Sequence, residues 1–180
     1  MPQASTRSSR AGNLLGALAV TVGDRAGDAM AAAEDVGASQ AAALITLDNY
    51  AAGMPLTTLG EALRLSHAAI VRLADRLQAR GLVERRRGAG GDRRAVGLEL
   101  TADGHRAIRA IRAARAAALE RALGPLDAGE RATFEELVAK VLAAETRTST
   151  DVQTHCRLCD GDVCGHPARC PVTQASYSIA

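Results

Sequence analysis

The chain has 180 residues and a net charge of +2, with 47% hydrophobic and 23% charged residues, which is typical of a globular protein. No apolar run reaches the roughly 18 residues of a transmembrane helix, and the composition also excludes collagen-like, wholly disordered and disulfide-framework proteins. Only 2% of the residues are aromatic, so the core must be aliphatic, and the abundant alanines favour close-packed helices.

One short segment of the chain is strongly basic. Residues 72–94 hold eight arginines against three acidic residues, so this segment carries +5 and the remainder carries −3. Such charge asymmetry is typical of a nucleic-acid-binding element, although a solvated arginine-rich face would show the same pattern.

The first third of the chain predicts three helices. Residues 1–11 have the composition of a disordered terminus. Helical spacing of apolar residues over about 13–35, with no signal-peptide cleavage pattern after it, favours an amphipathic helix in a cytoplasmic protein. A second helix is expected from near Ser39 to before Gly53, and Thr58 with Glu61 has the capping-box spacing for a short helix through Arg64.

The fourth predicted helix has two distinct faces. Ser66 is a candidate N-cap and Gly81 a stop signal. Its apolar side is formed by Ile70, Leu73, Ala74 and Leu77. Its outward side combines small residues with charged ones, namely Ala68, Arg72, Asp75, Arg76 and Ala79. Such a face can approach another surface closely and still offer hydrogen-bond donors.

A β-hairpin with a basic tip follows this helix. Residues 82–85 read as one strand, and the apolar alternation of Val96, Leu98 and Leu100 predicts the second. The glycines and arginines of residues 86–94 predict a mobile, cationic tip.

Two more helices are expected after the hairpin. Thr101 begins one that ends around Gly124, and Asp127 with Glu130 caps a final helix. We expect the apolar residues of the final helix to face inward; they are Phe134, Leu137, Val138, Val141 and Leu142.

These elements give a mainly α fold with a small β-hairpin, in the order of a winged helix-turn-helix. A helix fits the DNA major groove, and an arginine-bearing loop fits the minor groove. The sequence resembles the MarR family of transcriptional regulators in linked motifs at residues 57–63, 66–77, 80–85, 92–96 and 98–104.

The resemblance implies a homodimeric, sequence-specific transcriptional regulator that reads an inverted repeat in double-stranded DNA and is not an enzyme. It implies a winged-helix domain at 12–145. By composition, a disordered segment at 1–11 precedes this domain, and a cysteine-rich metal-binding tail at 146–180, outside the resemblance, follows it. Within the domain, about 38–104 would bind DNA, and the helices about 13–36 and 102–145 would form the dimerisation region. A small-molecule effector is a further implication.

The resemblance also implies roles for individual residues. Five residues of the recognition helix would face bases or phosphates: Ser66, His67, Ala68, Arg72 and Arg76. His67 has the alternative role of a cap neighbour, and Asp75 is interpreted as positioning an arginine. In the hairpin, Asp92 would orient Arg94 into the minor groove, while phosphates would be contacted by Arg86, Arg87 and Arg93.

The tail carries all four cysteines, at Cys156, Cys159, Cys164 and Cys170. Four close thiols in a cytosolic protein predict a metal site rather than disulfides. The spacing nearly matches a zinc knuckle, while Cys170 followed by proline is similar to iron–sulfur sequences and to the cluster-binding tail of MerR-type regulators. His155 and His166 flank the cysteines as substitute ligands, and redox-active or unliganded thiols are the remaining alternative.

Two other functions are compatible with the sequence. A nonspecific architectural DNA-binding protein would share the basic segment. An enzyme would have to use the four-cysteine metal site, because the sequence shows no nucleophile–base pair and no phosphate-binding loop.

Overall fold

The computed structural model describes residues 9–50, 53–91 and 93–179, without the side chains of Tyr50 and Ser149. These ranges contain nine α-helices and one two-stranded sheet. The helices are α1 Arg10–Glu34, α2 Ala38–Tyr50, α3 Leu56–Ala62, α4 His67–Ala79, α5 Ala102–Leu123, α6 Ala128–Glu145, α7 Ser149–Cys156, α8 Gly161–Cys164 and α9 Pro171–Ser176. The strands are β1 Val83–Arg87 and β2 Val96–Leu100, paired antiparallel.

Helix α1 begins earlier than the sequence predicts. The Ser9 hydroxyl accepts a hydrogen bond from the Gly12 amide at 3.0 Å and caps the helix at Arg10. The disorder predicted through Ala11 is therefore wrong for residues 10–11, and residues 1–8 lie outside the described part. Helix α1 packs along α5, and Asp35 ends it in the left-handed conformation.

Helix α2 agrees with the predicted second helix, whereas α3 begins and ends before its predicted bounds. The capping box expected from Thr58 and Glu61 is wrong, because both residues lie inside a helix that starts at Leu56. Pro55 occupies the N-cap without a side-chain hydrogen bond and pairs with Gly97 of β2, so tertiary pairing sets this helix start. Helix α3 ends at Ala62 rather than Arg64.

Helix α4 and its faces confirm the prediction. The Ser66 hydroxyl accepts a hydrogen bond from the Ala69 amide at 3.3 Å. The four apolar residues predicted to face inward are all buried, and they are Ile70, Leu73, Ala74 and Leu77.

The hairpin, or wing, is more ordered than predicted. Strand β1 continues through Arg86 and Arg87, which the sequence assigned to a mobile tip, and pairs Arg87 with Val96. The wing also packs closely on the chain before α3. A Cβ at Gly97 would lie 2.8 Å from the Met54 carbonyl oxygen and 2.9 Å from the Ala89 Cβ, so only glycine fits there without displacement.

The core is aliphatic, as the composition predicts. It joins α2, α3, α4, α5 and the two strands, and its largest fully buried side chains include Leu44, Ile45, Leu59, Leu73, Leu77, Leu98, Ile108 and Ile111. Thr101 caps α5 at the Gly104 amide, and α5 runs so close to the Leu82 carbonyl oxygen that a Cβ at Gly104 would collide with it. None of the described helices combines the length and hydropathy that crossing a membrane requires.

Helix α6 departs from the prediction in its burial. The Asp127 and Glu130 capping box is confirmed. However, no α6 residue is buried in the single chain, and Leu137 and Val141 are 59% and 51% exposed. The expected inward packing is therefore wrong within one chain, because amphipathic spacing identifies an apolar face without identifying what covers it.

Helix α6 is also not the last helix of the chain. Three short helices, α7 to α9, form the tail. Helix α7 lies against α3, and α9 lies against α6. Leu158, between α7 and α8, packs against the main core, so the tail is docked on the winged-helix body.

Candidate functional site

The outward face of α4 presents the predicted recognition residues together. Ala68, Arg72 and Arg76 follow one another at four-residue spacing, so they share one side of the helix, and all three are exposed. Ser66 and His67 are exposed at the N-terminal end of the same helix. Among the described residues, no carboxylate forms an ion pair with Arg72 or Arg76. The face is therefore cationic over Arg72 and Arg76, with the small Ala68 side chain at its N-terminal end.

Asp75 has the positioning role that the sequence predicts. The Arg85 guanidinium donates to Asp75 Oδ1 at 2.7 Å and to Gln78 Oε1 at 2.7 Å. These bonds join β1 to the exposed side of α4. Their geometry fixes the wing relative to the recognition helix.

The remaining wing arginines have different surroundings. Arg86 donates to Glu99 at 2.9 Å and lies 3.1 Å from a Glu84 carboxylate oxygen, so two carboxylates hold it. Arg87, Arg93 and Arg94 are exposed, and no described carboxylate forms an ion pair with Arg87. Asp92 lies outside the described residues, so its predicted contact with Arg94 stays a prediction.

The four cysteines line one cavity of about 250 Å³. None of the four is in a disulfide; Cys156 and Cys170 are buried, and Cys159 and Cys164 are half-buried. The rest of the wall comes from the tail and from the winged-helix body, through Asp48, Asn49, Arg112, Asp160, Gly161, Asp162 and His166. We call this cavity the cysteine pocket.

The thiols of the cysteine pocket form two hydrogen-bonded pairs. The Cys156 thiol donates to Cys159, and this bond is the main reason that the pKa of Cys159 falls to about 6. Cys164 pairs with Cys170, and burial together with this contact raises the pKa of Cys164 to about 11. Two thiols of opposite protonation tendency therefore face the same cavity.

The structure separates the two candidate histidine ligands. His166 lines the cysteine pocket, where its Nδ1 lies 3.0 Å from the Thr173 hydroxyl. His155 does not line it; its Nδ1 lies 3.5 Å from the Thr146 hydroxyl. Over the described ranges, no three His, Cys, Asp or Glu side chains lie close enough together to hold a single metal ion.

A polar link between the tail and the winged-helix body is absent from the sequence prediction. The Asn49 side-chain amide donates to the Cys159 carbonyl oxygen at 3.0 Å. Arg112 of α5 donates to Asp48 at 2.7 Å and to Asn49 at 2.6 Å. Asn49 and Cys159 are 110 residues apart, and no local pattern joins such partners.

Comparison with known proteins identifies the fold and a family match over the DNA-binding part. The MarR family model matches residues 34–95, which include the predicted recognition helix and wing. The structure of the YusO protein from Bacillus subtilis is 26% identical with a TM-score of 0.61, and the match covers 73% of this chain and 92% of that one. The winged-helix part of the chain is therefore similar to the MarR family.

Two further structures are similar to this chain. A MarR family protein from Bacillus stearothermophilus is 25% identical with a TM-score of 0.63, and the match covers 72% of this chain and 88% of that one. A probable transcriptional regulator from Pseudomonas aeruginosa is 26% identical with a TM-score of 0.56, and the match covers 73% and 99%. A comparison with curated proteins gives no match.

The family match and the similar structures support a transcriptional regulator with a winged-helix fold. All ten residues predicted to contact DNA fall within residues 34–95, where the family model matches. The four cysteines of the chain lie outside that match.

Proposed function

We propose that the chain is a dimeric, sequence-specific DNA-binding regulator that reads an inverted repeat through one α4 helix per half-site. The observation that supports this most directly is the exposed face of α4. Arg72 and Arg76 lie there on one side of the helix, beside the small Ala68, with no described carboxylate to neutralise them. A helix with this face can enter the major groove and donate to guanine and to phosphates.

The wing supports a second contact on the same DNA. Because Arg85 ties β1 to Asp75 and Gln78, the wing is held at a fixed position beside α4. Arg87, Arg93 and Arg94 are exposed at its far end. We assign Arg94 to the minor groove, whose negative potential attracts guanidinium groups, and the other two to phosphates. Arg86, which two carboxylates already hold, would contribute less to phosphate binding.

Two exposed apolar faces support a homodimer. Helix α1 exposes Leu14, Leu15 and Leu18, and α6 exposes Leu137 and Val141. Exposed apolar surface of this extent on two long helices is typical of a subunit interface rather than of a monomer surface. A second copy would cover both stripes and place two recognition helices on one duplex.

A nonspecific architectural DNA-binding protein is the nearest rival, and an enzyme that uses the cysteine pocket is the more distant one. The comparisons favour a regulator, because the similar protein from Pseudomonas aeruginosa is a probable transcriptional regulator. A small-molecule effector, which the family resemblance implies, stays a prediction.

The proposal can be tested on the intergenic DNA beside the chain's own gene. We expect footprinting to show a protected segment with two-fold symmetry, bound much more tightly than random DNA of equal length. Equal affinity for both DNAs would favour the architectural protein, and substrate turnover would be needed to support an enzyme.

A further inference from the structure

We propose that the cysteine pocket binds a [2Fe–2S] cluster, with Cys156 and Cys159 on one iron and Cys164 and Cys170 on the other. The pocket is built from the tail on one side and from α2 and α5 on the other. It lies outside the predicted DNA-binding face of α4 and the wing.

The gathering of the four thiols around one cavity carries this inference. All four cysteines line the same cavity of about 250 Å³. Within it, Cys156 hydrogen-bonds Cys159, and Cys164 hydrogen-bonds Cys170. In a [2Fe–2S] cluster with four cysteine ligands, each iron takes two thiolates, and the bridging sulfides hold the two irons apart. Four thiols in two pairs around one cavity fit that arrangement.

A single zinc ion matches the pocket less well. Tetrahedral zinc requires all four sulfurs at about 2.3 Å from one centre. In the part of the chain that the structure describes, no three His, Cys, Asp or Glu side chains form a group that could hold one metal ion.

Three arginines lie in or near the pocket wall. Arg112 lies in the wall, and its buried Nε has no hydrogen-bond partner among the described residues. Arg115 and Arg157 act electrostatically on Cys159. The carboxylates of the wall are Asp48, which pairs with Arg112, Asp160, whose side chain accepts the Asp162 and Val163 amides, and Asp162. A cluster with four thiolates is negatively charged, so the arginines would stabilise it and offset the carboxylates.

The cluster can enter the pocket by ligand exchange with a thiolate-ligated cluster donor. Four bonds between iron and donor sulfur break, and four bonds between iron and Cys Sγ form. Each cysteine binds iron as a thiolate, and the protons released by the cysteines that are still thiols pass to departing donor thiolates. The irons keep their oxidation states, so the step needs no oxidant or reductant.

The position of the pocket also links its occupancy to the DNA-binding part. Asn49 of α2 holds the Cys159 carbonyl oxygen at 3.0 Å, and Arg112 holds Asn49 and Asp48. Leu158, two residues after Cys156, packs into the core that supports α4. Loss of the cluster would remove the irons that hold the four thiolates together. The contacts of Asn49 and Leu158 between the tail and the winged-helix body would then loosen. This regulatory step rests on the proposed function, whereas cluster binding does not.

The cluster can be tested by loading the full chain anaerobically from a glutathione-ligated [2Fe–2S] complex and then desalting it. We expect about two irons and two sulfides per chain and retained visible absorption. One tightly held zinc per chain with no uptake of iron would overturn the proposal. Four irons per chain would overturn it as well, because the two-pair ligand assignment would then be wrong.

Matched variants test the ligands. Cys159→Ser and Cys164→Ser, one from each pair, should each lose iron binding while keeping the wild-type helical circular dichroism. His155→Gln is the control, since this histidine does not line the pocket, and it should keep the full iron content. Iron retained in either serine variant would overturn the ligand assignment.

The regulatory step is tested by comparing operator affinity of the cluster-loaded and cluster-free chain. We expect a change within the roughly 5–150-fold range of allosteric coupling. Equal affinities with a full iron count would refute the coupling alone. Specific DNA binding by neither form would refute the proposed function, and the iron count would still decide the cluster.

Discussion

The arginines of the predicted DNA-binding surface differ in what holds them. Arg85 is bound by Asp75 and links the wing to α4, while Arg86 is bound by Glu84 and Glu99 within the wing. Arg76 and Arg87 have no ion-pair partner among the described carboxylates and remain available to DNA. This difference separates arginines that position the surface from arginines that would contact the duplex.

Arg76 and Arg87 should behave differently on truncation. We expect Arg76→Ala to weaken operator binding by about 1–3 kcal/mol and to relax base preference, because its guanidinium faces the bases in the proposed docking. Arg87→Ala should weaken binding to all DNAs alike and lower the salt dependence of affinity, since a phosphate contact carries no sequence information. Titrations on operator and random DNA at several salt concentrations measure both effects.

The Arg94→Ala variant tests the DNA contact of the wing separately from that of α4. Arg94→Ala should cost about 1–3 kcal/mol on the operator if the guanidinium enters the minor groove. The reference is Arg109→Ala, a change of the same chemistry on α5, outside α4 and the wing. Operator affinity unchanged by both Arg94→Ala and Arg76→Ala would refute the winged-helix docking.

The thiols of the cysteine pocket should differ in reactivity when no metal is bound. The Cys156 thiol donates to Cys159 and holds its pKa at about 6, so Cys159 is a thiolate at pH 7 and a thiol below pH 6. Burial raises the pKa of Cys164 to about 11, so it stays protonated. Iodoacetamide at pH 7, followed by peptide mass spectrometry, should label Cys159 before Cys164. Faster labelling of Cys164 would contradict the described pairing.

Among the helices, α6 gives the clearest prediction about how two chains assemble. Its apolar stripe is exposed in the single chain, so a second copy should cover it. Leu137→Glu with Val141→Glu should give a monomer, because charges would be buried at the interface. DNA affinity should fall by roughly 10²-fold or more, since two linked half-site contacts become one. Light scattering and DNA titration measure the two effects.

The control for the α6 stripe is Glu136→Lys, which changes charge on the opposite side of the same helix. This variant should stay dimeric. A doubly substituted chain that remains dimeric and keeps its full operator affinity would place the interface elsewhere.

The start of a helix could be predicted wherever a capping residue close in the sequence sets it. Ser66, Thr101 and Asp127 cap their helices as their sequence contexts indicate. The start of α3 could not be predicted, because it depends on Pro55 pairing with Gly97, some forty residues later in the chain. The apolar stripe of α6 could be recognised from its spacing. Its exposure could not be predicted, because the spacing does not show which surface covers the stripe.

At the scale of the whole molecule, the tail and the winged helix form one connected body. Cysteine spacing predicted a shared site, and the structure gathers the four thiols around one cavity. The other wall of that cavity could not be predicted. Asn49 and Arg112 carry no motif, and their partners become neighbours only when α2, α5 and the tail pack together.

In the proposed complex, two α4 helices read an inverted repeat. The decisive measurement is to select binding sequences for the full chain from random duplex DNA and to measure the mass of the selected complex. We expect an enriched inverted repeat whose half-sites lie about one helical turn apart, bound by two chains. Enrichment of a single unrepeated site bound by one chain, or no enrichment at all, would contradict it.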